Sequence, residues 1–147
     1  MGNNKLWDGP VFGEKLSTVN YSERVAVYGI AINDEKVATV KTRAGYFLPG
    51  GGIENDEKHS ECLKREFIEE TGYEIEIGKY IGNAPLYHKT KTGEYKKGIG
   101  HFYIVTLIYD TKNKIEDDHD LIWLDINECS KLLFLEYQAW AVLEALK

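Results

Sequence analysis

The sequence predicts an α/β protein, an α/β/α sandwich with a central mixed β-sheet held between helices, in one domain spanning 1–147. Three observations predict it. Short β-rich apolar runs lie on both sides of one central helical segment. A second helical pattern closes the chain. No repeat, low-complexity tract or linker-like break divides the sequence. The length matches one ordinary domain, which clusters at roughly 100–150 residues and buries a core without staples.

The elements follow in order. Val25 to Val27 and then Tyr28 to Ile32 form an apolar run suited to a buried strand. Asn33-Asp34 signals a turn, and Val37 to Val40 is the returning strand. Tyr46-Phe47-Leu48 is a short third strand, cut off by Pro49-Gly50-Gly51-Gly52, which is expected to continue neither element. A helix is expected from about Lys58 to Thr71, with Asn55 or Asp56 as its N-cap and Gly72 after its last turn. Alternation resumes in Glu74-Ile75-Glu76-Ile77 and extends to Tyr80-Ile81. The basic segment from Lys89 to Lys97 reads as an exposed hairpin or loop. His101 to Asp110 is the clearest strand, and Leu121 to Leu124 a shorter one. At the C-terminus Ala139, Trp140, Val142, Leu143 and Leu146 follow the 3.6-residue period and are expected to pack on the sheet.

Composition bounds the function. Eighteen Lys plus Arg stand against 24 Asp plus Glu, a net charge of −6, which opposes a generic nucleic-acid binder. Single-stranded nucleic acid would need more basic-aromatic surface than the one run at 89–97 provides. No apolar run approaches the ~18–20 residues of a membrane helix. Met1 to Leu6 lacks the apolar core of a signal peptide, and Leu6 stands where a myristoylation signal wants Ser or Thr. Cys62 and Cys129 form no C-x-x-C pair and are read as free thiols, which makes the cytoplasm the expected location.

The negative charge is concentrated. Residues 51–73 hold seven acids and three bases, and residues 116–120 hold four acids, so each segment carries −4. In the helix, Glu66, Glu69 and Glu70 fall within a 100° arc beside the buried face marked by Leu63 and Phe67. As a solvated face this stripe is poor design. Glu66 and Glu70 repel at i, i+4, and Glu69 and Glu70 sit in the last turn, where the helix dipole favours cations. A divalent cation reverses both penalties. Carboxylates without His or Cys suit Mg²⁺, with Mn²⁺ as a substitute. Pro49-Gly50-Gly51-Gly52 lets backbone approach a ligand closely. It is no P-loop, since no Gly-Lys-Ser/Thr follows, and no dinucleotide fingerprint, since Asn55 stands where the third Gly is needed.

Gly51, Glu57 and the run Arg65-Glu66-Phe67-Ile68-Glu69-Glu70-Thr71-Gly72 reproduce the spacing G-x5-E-x7-R-E-U-x-E-E-x-G-U, so the chain resembles the Nudix hydrolases. It departs mildly at Phe67 and Tyr73, and Asp56 replaces a frequent Gly. None of the three is a ligand position. The resemblance implies an Mg²⁺-dependent pyrophosphohydrolase that cleaves a nucleoside diphosphate linked to X, releasing a nucleoside monophosphate and phosphorylated X. It implies Glu66 and Glu70 as principal metal ligands, Glu69 close behind, a carbonyl of the Gly50-Gly51 turn as a backbone ligand, and Glu54 reaching a second metal through water. Glu57 and Arg65 are implied either as an ion pair orienting the helix and its preceding loop or as direct catalytic residues. The general base is Glu66, or Asp118 or Asp120 in the acidic loop. For substrate, Lys41, Arg43, Gly51 and Tyr87 are the candidates, and the basic 89–97 segment offers attraction for an anion. Compact size looks most like the branch hydrolysing nucleoside triphosphates, oxidised ones included. ADP-ribose and dinucleoside polyphosphates are the alternatives, and a non-catalytic nucleotide-binding module the alternative of another class. The partner is a small nucleotide, and the chain a monomer or homodimer. His59, His88, His101 and His119 show no metal-type pairing, though His119 stands out among carboxylates.

Overall fold

The computed structural model describes residues 9–147, so the readings at Met1 to Leu6 lie outside the described residues. Eleven elements follow one another: β1 (Ser22–Ile30), β2 (Ile32–Asn33), β3 (Lys36–Thr42), β4 (Gly45–Phe47), β5 (Gly50–Gly52), α1 (His59–Thr71), β6 (Tyr73–Lys89), β7 (Tyr95–Asp110), β8 (Asp120–Asp125), α2 (Ile126–Leu132) and α3 (Glu136–Ala145).

The strands form two sheets. The first is mixed, in the order β5-β1-β7-β6. Here β1 runs parallel to β7, while β5 and β6 are antiparallel to their neighbours. The second is antiparallel, with β3 in the centre, β8 along one side, and β2 then β4 along the other. The division follows from β1, which ends at Ile30. Beyond it Asp34 and Glu35 both take left-handed φ (52° and 62°) and fold β2 tightly back onto β3.

Two apolar layers cover the mixed sheet because its strands alternate. Val27 of β1 and Val105 of β7 face α1, where they bury Cys62, Leu63 and Phe67. Ala26, Tyr28, Ile30 and Phe102 face the other way, against Tyr137, Ala141 and Val142 of α3. Gly29 is required by this packing, since a Cβ there would lie 2.6 Å from the Phe67 ring.

Four expectations are corrected. Helix α1 is capped by Lys58 rather than Asn55 or Asp56, with the Glu61 carboxylate accepting the Lys58 amide at 2.8 Å. Its C-terminus ends as expected, at Gly72 with φ 83° and its amide on the carbonyls of Phe67 and Ile68. Gly50-Gly51-Gly52, expected to interrupt the strands, is itself β5. It pairs with β1 so closely that a Cβ on Gly50 would sit 2.1 Å from the Val27 carbonyl oxygen. The short helix α2 has no counterpart in the sequence reading, because seven residues hold too little periodicity to register. In α3 the buried face is Tyr137, Gln138, Ala141 and Val142, while Leu143 and Leu146 are exposed. A polar residue sets that rotation: buried Gln138 accepts the Leu48 amide at 2.7 Å, which apolar periodicity does not detect.

The basic segment is the β6–β7 hairpin turn, closed by the Glu94 carbonyl accepting the Thr90 amide, with Gly93 at φ 90°. Strand β6 merges the two runs expected at 74–77 and 80–81. It bends through register shifts between Glu74 and Gly82, where Gly78 and Gly82 relax the backbone.

Candidate active site

Strand β5 and helix α1 are joined directly at the glycines. The Gly50 amide donates to Oε1 of Glu70 at 2.9 Å. The Glu66 carboxylate lies against the backbone of Gly51, where a Cβ would stand 2.6 Å from its Oε2. Only glycine at 51 lets the helix stripe approach the strand this closely.

Arg65 holds the loop between them. Its Nε and Nη2 donate to the two Glu57 oxygens at 2.6 and 3.0 Å, and Nη2 also donates to the Gly52 carbonyl at 3.2 Å. Nη1 reaches Glu66 and Glu69, each at 3.2 Å. Glu57 in turn accepts the Glu54 amide at 2.9 Å. The bidentate pair holds the Glu57 carboxyl down at about 2 and pushes the Arg65 guanidinium up. Through these contacts the Arg65–Glu57 pair ties the loop to the helix. Glu54 is 65% exposed and turns toward Arg65 at 3.7 Å.

The stripe is under electrostatic stress. Glu70 is 8% exposed, and burial pushes its carboxyl up to about 8 despite the Gly50 hydrogen bond, with Glu66, Glu116 and Glu69 adding repulsion. Burial also raises Glu66, which Arg65 only partly offsets. Glu66, Glu69 and Glu70 offer only carboxylate oxygens, the donor type a hard divalent ion takes, and Glu70 is the buried one. The residues present fit such an ion.

The acidic loop before β8 reaches this cluster, but not through every residue expected. The amides of Ile115 and Glu116 donate to the Glu69 carbonyl, at 2.9 and 2.8 Å, pinning the loop to the end of α1. His119 Nε2 stands 3.5 Å from Glu70 Oε2, and its Nδ1 lies 3.0 Å from Asp118 Oδ1. Among the described residues, the three acidic or imidazole side chains whose ligand atoms all lie within 4.8 Å of one another are Glu116, Asp118 and His119, rather than the three glutamates of the stripe. Asp120 is exposed and sits in the β3–β8 ladder opposite Lys41.

A cleft of about 460 Å³ opens over the glycines and Glu70. Arg43, Gly51, Asp118 and His119 line it, with Val40, Phe47, Leu48 and Leu135 as apolar walls. Lys41, Asp120 and Tyr87 do not. Lys41 lies over the Tyr46 ring, and Tyr87 packs edge-on against Tyr21 at 5.0 Å with Lys15 and Lys97 over its face. Sequence reasoning misses Arg24 and Glu116 as candidates, whereas the acidic neighbours of His119 mark it out. No sequence signal singles out Arg24, since its position depends on β1 pairing with β5. Arg24 lines the cleft, its guanidinium lying across Gly52.

A glycine-rich strand clamped to a carboxylate helix, inside an α/β/α sandwich, is the architecture of a phosphoanhydride hydrolase. The NUDIX domain family model matches residues 22–146, and the chain belongs to that family of hydrolases acting on pyrophosphate bonds. Solved structures share the fold. The Nudix hydrolase from Nitrosomonas europaea superposes with a TM-score of 0.68 at 17% identity, covering 85% of this chain and 89% of that one. The MutT Nudix hydrolase from Burkholderia pseudomallei gives 0.66 at 19%, covering 84% and 98%. An ADP-ribose pyrophosphatase from Streptococcus suis gives 0.62 at 14%, covering 84% and 92%. Among the described residues no helix is long and apolar enough to cross a membrane.

Proposed function

We propose that this protein hydrolyses a nucleoside triphosphate, oxidised forms included, to the nucleoside monophosphate and pyrophosphate, with Mg²⁺ as cofactor and Mn²⁺ as a working substitute. The observation that carries the reading is the repelling carboxylate stripe of α1, with buried Glu70 lining the cleft and bonded to the Gly50 amide, and Glu66 against Gly51. In this reading those three side chains and a carbonyl of the Gly50-Gly51 turn hold the ion, with Glu54 reaching a second through water. Bound there, a divalent cation supplies charge neutralisation and Lewis-acid polarisation of phosphate oxygens.

The chain's own residues supply the rest. Water attacks the α-phosphorus, and the bridging oxygen leaves with pyrophosphate. Glu66, raised by burial, takes the proton from the attacking water. His119, braced by Asp118, steers the outer oxygen of Glu70 while Gly50 fixes the inner one. Arg43 and Arg24 meet phosphate charge at the mouth of the cleft, and its apolar walls shelter the base. Cys62 and Cys129 are both buried and unpaired, which supports a reducing, cytoplasmic setting.

The test is turnover with Mg²⁺ across nucleoside triphosphates, ADP-ribose, dinucleoside polyphosphates and nucleotide sugars. Highest kcat/KM on a triphosphate supports the reading. Highest kcat/KM on another class replaces the substrate, and nucleotide binding without turnover replaces the enzyme with a binding module.

A further inference from the structure

Beside the main cleft lies a smaller one of about 230 Å³, which shares Arg24, Tyr28 and Leu135 with it. Its origin is legible in the register of the mixed sheet. Gly98 of β7 faces Arg24 of β1 on one side and Leu86 of β6 on the other. With no side chain at Gly98, the middle strand forms the floor of a trough between its neighbours. A Cβ there would lie 3.5 Å from the Tyr137 hydroxyl, so the space would be filled by any other residue.

The two ends of this trough differ. Toward α3 its wall is Tyr28 and Tyr137, whose hydroxyls are 3.3 Å apart. Toward the hairpin it is lined by His88, Thr90 and Lys96, with Arg24 at the junction of the two clefts. His88 and Lys96 are directly opposite each other in the β6–β7 ladder, so the sheet itself places two basic side chains together. Among the described residues no carboxylate lies within ion-pair distance of Arg24, and the sole acid beside Lys96 is Glu94, 65% exposed and 3.6 Å away. Arg24 and Lys96 both depress the His88 imidazole, adding to the effect of its burial, as like-charged groups do. Two other hairpin cations are engaged elsewhere: Lys89 lies over Tyr95, and Lys97 pairs with Glu23.

A trough lined by the cations Arg24 and Lys96 beside an imidazole held toward its uncharged form is the complement of the repelling carboxylates next door. Resting on the pyrophosphohydrolase reading, we infer that this second lobe is a polyphosphate subsite, taking the non-reacting, anionic end of the substrate through Arg24, His88, Thr90 and Lys96. The lobe therefore selects for a charged X. A nucleoside triphosphate runs its distal phosphates past Arg24 into the trough, whereas a nucleotide carrying a neutral sugar leaves the cations without a counter-charge.

Two measurements test it. With metal removed by chelation, inorganic tripolyphosphate titrated into the labelled protein is expected to shift the amides of Gly98, Thr90 and Lys96. Lys96→Ala is expected to weaken its Kd by roughly tenfold, the scale of one charge-assisted contact. No shift in the wild-type protein, or an unchanged Kd in the variant, overturns the subsite. In steady-state assays Lys96→Ala is expected to raise KM for triphosphates about tenfold with kcat held, and to leave KM for nucleotide sugars unchanged. Lys91→Ala, at the hairpin tip, is the control and is expected to match wild type. Equal KM increases for charged and neutral X overturn the charge selection. A protein that binds tripolyphosphate but turns over no nucleotide retains the lobe and loses the proposed function, so the two failures are distinguishable.

Discussion

The buried carboxylate of Glu70 accepts a 2.9 Å hydrogen bond from the amide of Gly50, tying the last turn of α1 to the first residue of β5 across 20 positions of sequence. This bond orients one oxygen but does not neutralise the group, whose carboxyl is pushed up to about 8. A folded-state value above the unfolded one means that the native chain holds the proton more tightly. The stability linked to Glu70 is therefore complete below about 4.5 and is lost as pH rises toward about 8. A carboxyl held one pH unit above its unfolded value carries about 1.4 kcal/mol, so the loss here reaches a few kcal/mol. Melting curves of the metal-free protein are expected to show Tm falling between about pH 5 and pH 8, and Glu70→Gln, which keeps an acceptor for Gly50, to flatten that fall. Added Mg²⁺ is expected to raise Tm more at pH 8 than at pH 5, its stabilisation reaching about 2.7 kcal/mol where it stands at a hundredfold excess over Kd. Equal metal effects at the two pH values would count against Glu70 as the group that the ion compensates.

Gly51 and Gly93 separate close approach from backbone freedom. A Cβ on Gly51 meets the Glu66 carboxylate at 2.6 Å, while Gly93, at φ 90°, has nothing within 4 Å. Gly51→Ala is expected to displace Glu66 and lower kcat/KM by about 10²-fold, the penalty of misplacing a reacting group by about an ångström. Gly93→Ala is expected to cost only strain, read as a small drop in Tm with kcat/KM unchanged.

Arg65→Lys retains charge but removes the fork that grips Glu57 and the Gly52 carbonyl at once. Activity or metal affinity is expected to fall about 10–100-fold, as when a partner of a ligand is removed. Because the Glu57 carboxyl is held down at about 2, its contribution to stability is present above about 4.5 and disappears as pH falls through about 2. Acid unfolding of Arg65→Lys should therefore begin at a higher pH than in wild type.

Asp118 and Asp120 are two residues apart and are expected to behave differently. Asp118 braces His119 against Glu70, whereas Asp120 lies exposed in the ladder opposite Lys41. Asp118→Asn is expected to lower kcat about tenfold through the tilt of His119, while Asp120→Asn keeps wild-type kcat. The reverse ranking would move the working residue of the loop to Asp120.

Much of this site is legible in the sequence, for a definite reason. Helical spacing alone puts Glu66, Glu69 and Glu70 on one stripe, and the number of residues between Glu57 and Arg65 lets the loop fold back onto the helix. Gly72 likewise marks the helix end through local backbone chemistry. What sequence does not reveal depends on pairing between distant segments. Arg24 enters the cleft because β1 lies beside β5, and the second lobe exists because Gly98 faces both Arg24 and Leu86. His119 reaches Glu70 only because the Glu69 carbonyl holds the preceding loop. Tyr87 shows the converse: beside a basic run it reads as a substrate contact, yet the strand turns its ring onto Tyr21.

If the helix carboxylates hold a catalytic divalent ion, removing one of their charges must remove activity and metal together. The most direct measurement is Mg²⁺-dependent nucleotide turnover by wild type and Glu70→Gln, beside circular dichroism and Mn²⁺ binding for both proteins. Glu70→Gln is expected to lose kcat by about 10²-fold or more, the scale of one charge that stabilises the transition state, with weakened Mn²⁺ binding and an intact fold. Turnover and Mn²⁺ affinity in Glu70→Gln equal to those of wild type would contradict the metal assignment.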